Sequence, residues 1–163
     1  MKKILLISDT HSFFDDRLLK HIENADEIWH AGDIGSIEVL EKIESLKAIR
    51  AVFGNIDDHK IRVTLPKNNI FILEGVKVFM THIGGKVGRY NHEALRDAQL
   101  EYPQLFICGH SHILQIMFDK KNNWLYLNPG AMGKYGIQTV QTTLSFELNE
   151  GKIENMNLIE FVK

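Results

Sequence analysis

The segment Lys3-Ile4-Leu5-Leu6-Ile7-Ser8-Asp9-Thr10-His11 decides the reading of this chain. Four apolar residues run without interruption and end abruptly in Ser-Asp-Thr-His. An unbroken apolar run of this length is the pattern of a strand covered on both faces, as in parallel sheets. Downstream, Leu18, Leu19 and Ile22 recur at helical spacing as far as about Ala25, and Glu27 to Ala31 reads as a second short strand. Ile37, Leu40, Ile43 and Leu46 fall at i+3 intervals with charges between them, an amphipathic helix. Ala48 to Phe53 is a third strand. The β-α-β-α-β opening predicts parallel strands joined by helical crossovers.

The second half changes character. Asn69 to Leu73 and Val76 to Met80 flank Glu74-Gly75 and predict a hairpin. A helix over His92 to Tyr102 and a strand over Leu105 to Cys108 follow. Further strands are expected at Leu114 to Asp119, Trp124 to Leu127, Thr139 to Leu148 and Ile153 to Val162. Helices early and strands late predict an α/β fold of two packed mixed sheets flanked by helices. There is no repeat, low-complexity tract or Pro-rich linker, so residues 1–163 are expected to form one domain.

Composition narrows the function. The 163 residues carry 19 Lys+Arg, 21 Asp+Glu, eight His and one Cys, with a net charge of -2. One Cys excludes a disulfide framework and any metal site built on paired cysteines. The near-neutral balance argues against long nucleic acid or an anionic membrane as partner. The N-terminal apolar run is too short for a signal or a membrane span, so a cytoplasmic protein without membrane association is expected. Self-association is left open.

The chemistry-bearing residues lie just past strand ends: Asp9 and His11, Asp33, Asn55, His82, then His110 and His112. Ligands of α/β sheets bind outside the carboxyl ends of strands, so these side chains are expected to converge. Two carboxylates, an amide oxygen and four imidazoles suit borderline divalent ions better than copper(I) or iron–sulfur clusters. Seven ligands exceed one tetrahedral site and match two metals sharing a carboxylate. If Asp9-x-His11 and His110-x-His112 are extended, each pair points to one side. Against this stand plainer uses: Asp9 and Asp33 as helix N-caps, Asn55 as a turn residue, and any single His as a surface group.

In order, Asp9-x-His11, Gly32-Asp33, Gly54-Asn55, His82 and Gly109-His110-x-His112 resemble the motifs of the calcineurin-like metallophosphoesterase superfamily. The short chain and Gly54-Asn55-Ile56-Asp57 are similar to its compact bacterial and archaeal phosphodiesterase branch. The resemblance runs from Lys3 to about Gly133. It implies a four-layer α-β-β-α sandwich and two divalent ions, with Mn first and Ni, Fe or Zn as alternatives. Asp9, His11 and His112 would hold one ion, Asn55, His82 and His110 the other, with Asp33 bridging. A hydroxide between the ions would attack phosphorus while Asn55 and the metals neutralise its oxygens. The implied substrate is a small phosphate ester, a phosphodiester first. A phosphomonoesterase, a nuclease, or a protein-interaction scaffold without activity are the rival readings.

Two departures from the family pattern bear on mechanism. Many larger members of the family have His directly after Gly-Asn, proposed to protonate the leaving group, whereas this chain has Ile56, followed by Asp57, which could orient a nearby His instead. Relatives often read His-Gly-His where this chain reads His82-Ile83-Gly84. The first change favours substrates with good leaving groups, or leaves the acid role to water or another residue; the second removes one polar contact near the substrate or leaves it to be supplied elsewhere. Of the remaining histidines, His21 is expected to be solvated, His30 to be core or a support for the site, and His59 and His92 to lie on the surface. Gly84 to Arg89 lacks the Gly-Lys-Ser/Thr ending of a nucleotide-binding loop and reads as a flexible connection. Cys108 reads as a small buried hydrophobe. Asn128-Pro129-Gly130 is a tight turn, which the resemblance places beside the metals as a support.

Overall fold

A computed structural model describes all residues, Met1 to Lys163. Strand β1 (Lys2–Ile7) is followed by a 3-10 turn (Asp16–Leu18), α1 (Leu19–Asn24), β2 (Glu27–His30), α2 (Ile37–Leu46) and β3 (Ala48–Ala51). Then come α3 (His59–Thr64), β4 (Asn68–Leu73), β5 (Val76–Thr81), and the two-residue strands β6 (Gly85–Lys86) and β7 (Arg89–Tyr90). The chain ends with α4 (His92–Glu101), β8 (Leu105–Ile107), β9 (Gln115–Asp119), β10 (Trp124–Asn128), β11 (Val140–Asn149) and β12 (Lys152–Val162).

Two five-stranded mixed sheets result, in the orders β12-β11-β1-β2-β3 and β4-β5-β8-β10-β9. In the first, β1, β2 and β3 are parallel and β11 joins β1 antiparallel. In the second, β5, β8 and β10 are parallel, with antiparallel β4 and β9 at the edges.

The side-chain alternation of β1 sets the layers. Ile4 and Leu6 enter the core between the sheets, with Trp29, Val78, Met80 and Ile107. Leu5 and Ile7 turn the other way, against Leu18, Ile22, Leu40 and Ile43 of the helical layer. Beyond the second sheet, Ala94 and Ala98 of α4 pack on Phe79, Phe106, Trp124 and Tyr126. Small residues on α4 let it settle closely on that aromatic surface. The architecture is therefore the expected helix–sheet–sheet–helix sandwich.

Local departures have physical causes. On α2, Val39 rather than Leu46 completes the buried stripe, and Leu46 is exposed; a 3.6-residue turn drifts off a strict i+3 series. The stretch after Asp57, for which the sequence pattern gives no element, contains α3, whose N-cap Asp58 accepts a hydrogen bond from Ile61 N–H at 3.2 Å. Gly84 to Arg89 is no loose connection but leads into the miniature β6–β7 hairpin. His21 is half-buried against Phe161, with ring centroids 5.9 Å apart, rather than solvated. No helix is long and apolar enough to cross a membrane.

Candidate metal centre

All seven residues expected at strand ends meet at one edge of the sandwich. Parallel pairing brings the C-terminal ends of β1 and β2 side by side, with Ile7 opposite His30. The loops beyond are locked together: Asp9 N–H donates to Gly32 O at 3.0 Å, His11 N–H to Asp33 O at 3.0 Å and Gly109 N–H to His82 O at 3.0 Å.

Convergence is not achieved by extended backbone, as the x-spaced motifs suggest. Asp9, His11, Asp33, His110 and His112 have φ of 52°, 45°, 55°, 69° and 61°. That is the left-handed region, which costs L-residues roughly 1–2 kcal/mol each. It also rules out the N-cap reading for Asp9 and Asp33, because a cap residue is normally extended. Left-handed residues cluster where the surrounding fold over-determines a functional geometry.

The ligand atoms form two groups, Asp9/His11/His112 and Asp33/His82/His110, each with its atoms within 4.8 Å of one another. Asp33 Oδ2 lies between them, 3.4 Å from His11 Nε2 and 3.2 Å from His82 Nε2. Asp9 Oδ1 is 3.2 Å from His112 Nε2. Asn55 Oδ1 is 3.0 Å from His110 Nδ1, which sets it beside the second group.

Whether these residues suit metal can be tested on their unmet bonds. Asp9 Oδ1, His11 Nε2 and His82 Nε2 are buried polar atoms with no hydrogen-bond partner. Such orphans are rare and each costs about 1–3 kcal/mol. All three belong to the two groups of candidate ligand atoms. His82 Nδ1 donates to Ala31 O at 2.7 Å, so its Nε2 is left as the acceptor face. The donor set is oxygen and nitrogen only, and it fits two divalent cations.

Charge supports the same reading. Burial raises the Asp9 carboxyl, but His11, His112 and His82 outweigh it and hold it well below the usual carboxylate range. Burial likewise opposes ionisation of Asp33, and His82 reverses the balance. His82 is pulled down by burial and up, further, by the Asp33 and Asp9 carboxylates. Asp9 raises His112, whereas burial lowers His110. Two ionised carboxylates in a desolvated space make it attractive to cations.

The supports around the ligands were only partly foreseen. Asp57 orients no histidine. Its carboxylate accepts from Gly54 N–H (2.7 Å), Ile34 N–H (3.2 Å) and Gly35 N–H (2.8 Å), tying the Asn55 loop to the Asp33 loop. Ser8 Oγ donates to Asp9 Oδ2 at 2.6 Å. Asn128 Nδ2 donates to Gly109 O and Ser111 Oγ, both at 3.0 Å, the expected support for the His110 loop. Gly54 and Gly109 are required by space: a Cβ on the first would strike Asp33, and on the second Ser8 and Asp9. Tyr135 stacks on His11 at 4.9 Å, a contact no local signal announces. His59 and His92 are exposed, as expected.

His30 is fully buried beneath the site and fully bonded. Its Nδ1 accepts from Gly32 N–H at 3.1 Å. Thr10 Oγ1 donates to Ile34 O, so the 3.0 Å contact with Thr10 must be a donation from His30 Nε2–H. The ring is therefore neutral, and burial pushes its pKa down to about 3. Unfolded His titrates near 6.5, so between these values the unfolded chain binds the extra proton. His30 alone should therefore take away about 1.4 kcal/mol of stability per pH unit as pH drops below about 6, a contribution opposed by His82 and His112, which are raised in the fold. Urea unfolding at pH 7 and pH 5 checks this, and His30→Gln, which keeps one donor and one acceptor, should flatten the difference.

A calcineurin-like phosphoesterase superfamily domain model matches residues 1–151. A probable metallophosphoesterase of Methanothermobacter thermautotrophicus is 30% identical over 132 residues, covering 77% of this chain and 74% of the relative. A phosphodiesterase of Methanocaldococcus jannaschii is 28% identical over 159 residues, covering 85% and 90%. Among solved structures, wild-type Vps29 of Entamoeba histolytica complexed with zinc superposes with a TM-score of 0.74 at 17% identity, covering 98% of both chains. That last likeness concerns the fold.

Proposed function

The chain belongs to the calcineurin-like phosphoesterase superfamily, and from that premise we propose that it hydrolyses a small phosphodiester at a two-metal centre. The observation that carries this reading is the set of orphaned ligand atoms, Asp9 Oδ1, His11 Nε2 and His82 Nε2, around the Asp33 carboxylate. In this reading Asp9, His11 and His112 hold one ion, Asn55, His82 and His110 the other, and Asp33 both. When bound, the ions would supply Lewis-acid polarisation of phosphoryl oxygens and would lower the pKa of a coordinated water toward about 7. Manganese is the first choice among borderline ions, ahead of nickel, iron and zinc.

The chain's own contribution is placement. Asn55 presents an amide at the edge of the second ligand group, where its N–H can meet a phosphoryl oxygen. Exposed Ile56 and Ile83 give the rim an apolar surface where a proton donor would otherwise stand. Substrates with acidic leaving groups suit such a rim, because they depart without protonation. A phosphodiesterase of similar sequence supports the diester, and the complete ligand set favours an enzyme over a scaffold.

The test is metal removal. Stripped with chelator, the protein should lose hydrolysis of bis(p-nitrophenyl) phosphate, and manganese should restore it better than magnesium. Faster turnover of the monoester p-nitrophenyl phosphate would move the reading to a phosphomonoesterase. No restoration by manganese, nickel, iron or zinc on either ester would favour the scaffold.

A further inference from the structure

Beyond His110 the metal centre opens into a second cavity of about 570 Å³. Ile83, Ile113, Leu114 and Tyr126 give it apolar surface, and no carboxylate lines it. Two cations do, Lys86 and Arg89. They stand directly opposite each other in the β6–β7 hairpin. Side chains of a directly opposed pair share one face, and like charges so placed repel. Neither takes part in an ion pair.

The hairpin that presents them is pinned. Tyr126 Oη donates to Gly85 O at 2.5 Å, and Asn91 N–H to Gly84 O at 3.0 Å. Tyr90 Oη donates to Asp119 Oδ2 at 2.7 Å and accepts from Trp124 Nε1 at 2.9 Å. A facing cation pair on a fixed ribbon, over apolar surface and beside a metal ligand, asks for an anion carried on an apolar body.

We propose that this cavity binds the part of the substrate beyond the scissile phosphate, and that this part carries a second anionic group on an apolar or aromatic body held between Lys86 and Arg89. The proposal rests on the phosphodiester reading and narrows its substrate class.

A matched pair of esters tests it: p-nitrophenyl thymidine 5′-phosphate with and without a 3′-phosphate. Wild-type kcat/KM should favour the 3′-phosphorylated ester by about tenfold or more, the size of a charge-assisted contact. The double variant K86Q/R89Q should lose that preference. Equal kcat/KM for the two esters in wild type, or a preference that survives in the variant, overturns the proposal while leaving the phosphodiesterase reading intact. If wild type hydrolyses neither these esters nor bis(p-nitrophenyl) phosphate, the underlying reading fails instead. Calorimetric titration with thymidine 3′,5′-bisphosphate then decides the subsite: weaker binding to K86Q/R89Q than to wild type upholds it, and equal binding overturns it.

Discussion

Asp33→Ala should lower phosphodiester hydrolysis by at least about 10³-fold, the upper range for removing one hydrogen-bond donor from an active site. The reason is position. Asp33 Oδ2 is the one carboxylate oxygen within 3.4 Å of a histidine from each candidate ligand group, so on the two-metal reading its loss should weaken both ions together. The same carboxylate has a structural task, since Oδ1 accepts from Ile56 N–H at 3.1 Å. Asp33→Asn keeps an acceptor there while removing the charge, and it should fold yet remain nearly inactive. Elemental analysis should find fewer than two metals per chain in both variants. Two retained metals in either one would sink the bridging assignment.

Asp57→Ala should strongly destabilise the fold. Its carboxylate is nearly fully buried and accepts three backbone N–H groups from two loops. Each N–H left without a partner costs about 1–3 kcal/mol, so for three of them a loss of at least about 3 kcal/mol is expected. Asp57→Asn retains one acceptor oxygen and should lie between wild type and alanine. Urea unfolding gives the values. Because the same bonds hold Gly54-Asn55 against Asp33, metal affinity should fall in the same order. Wild-type stability in the alanine variant would show that water replaces the carboxylate.

The convergence of the candidate ligands was legible in the sequence and their scaffolding was not, for a definite reason. Asp9, Asp33, His82 and His110 stand at the ends of runs whose burial makes them strands, and strand ends are where such sheets work. In the sequence Asp57 reads as a group that could orient a His rather than as an acceptor for three backbone N–H groups, because such partners leave no trace in residue type. Helix α3 was missed for a related reason: at six residues it shows less than two turns of periodicity. The extended reading of Asp9-x-His11 failed because alternation was inferred from spacing alone. The chain instead turns left-handed at both residues, and only non-local bonds such as His11 N–H to Asp33 O hold it there.

Left-handed backbone at five candidate ligand positions sets ease of folding against chemistry at the same residues. Glycine would relieve the conformational cost at each of them and remove the donor atom. Asp9, His11, Asp33, His110 and His112 all bear side chains there, so the sandwich beneath them has to supply the stability that those five turns cost.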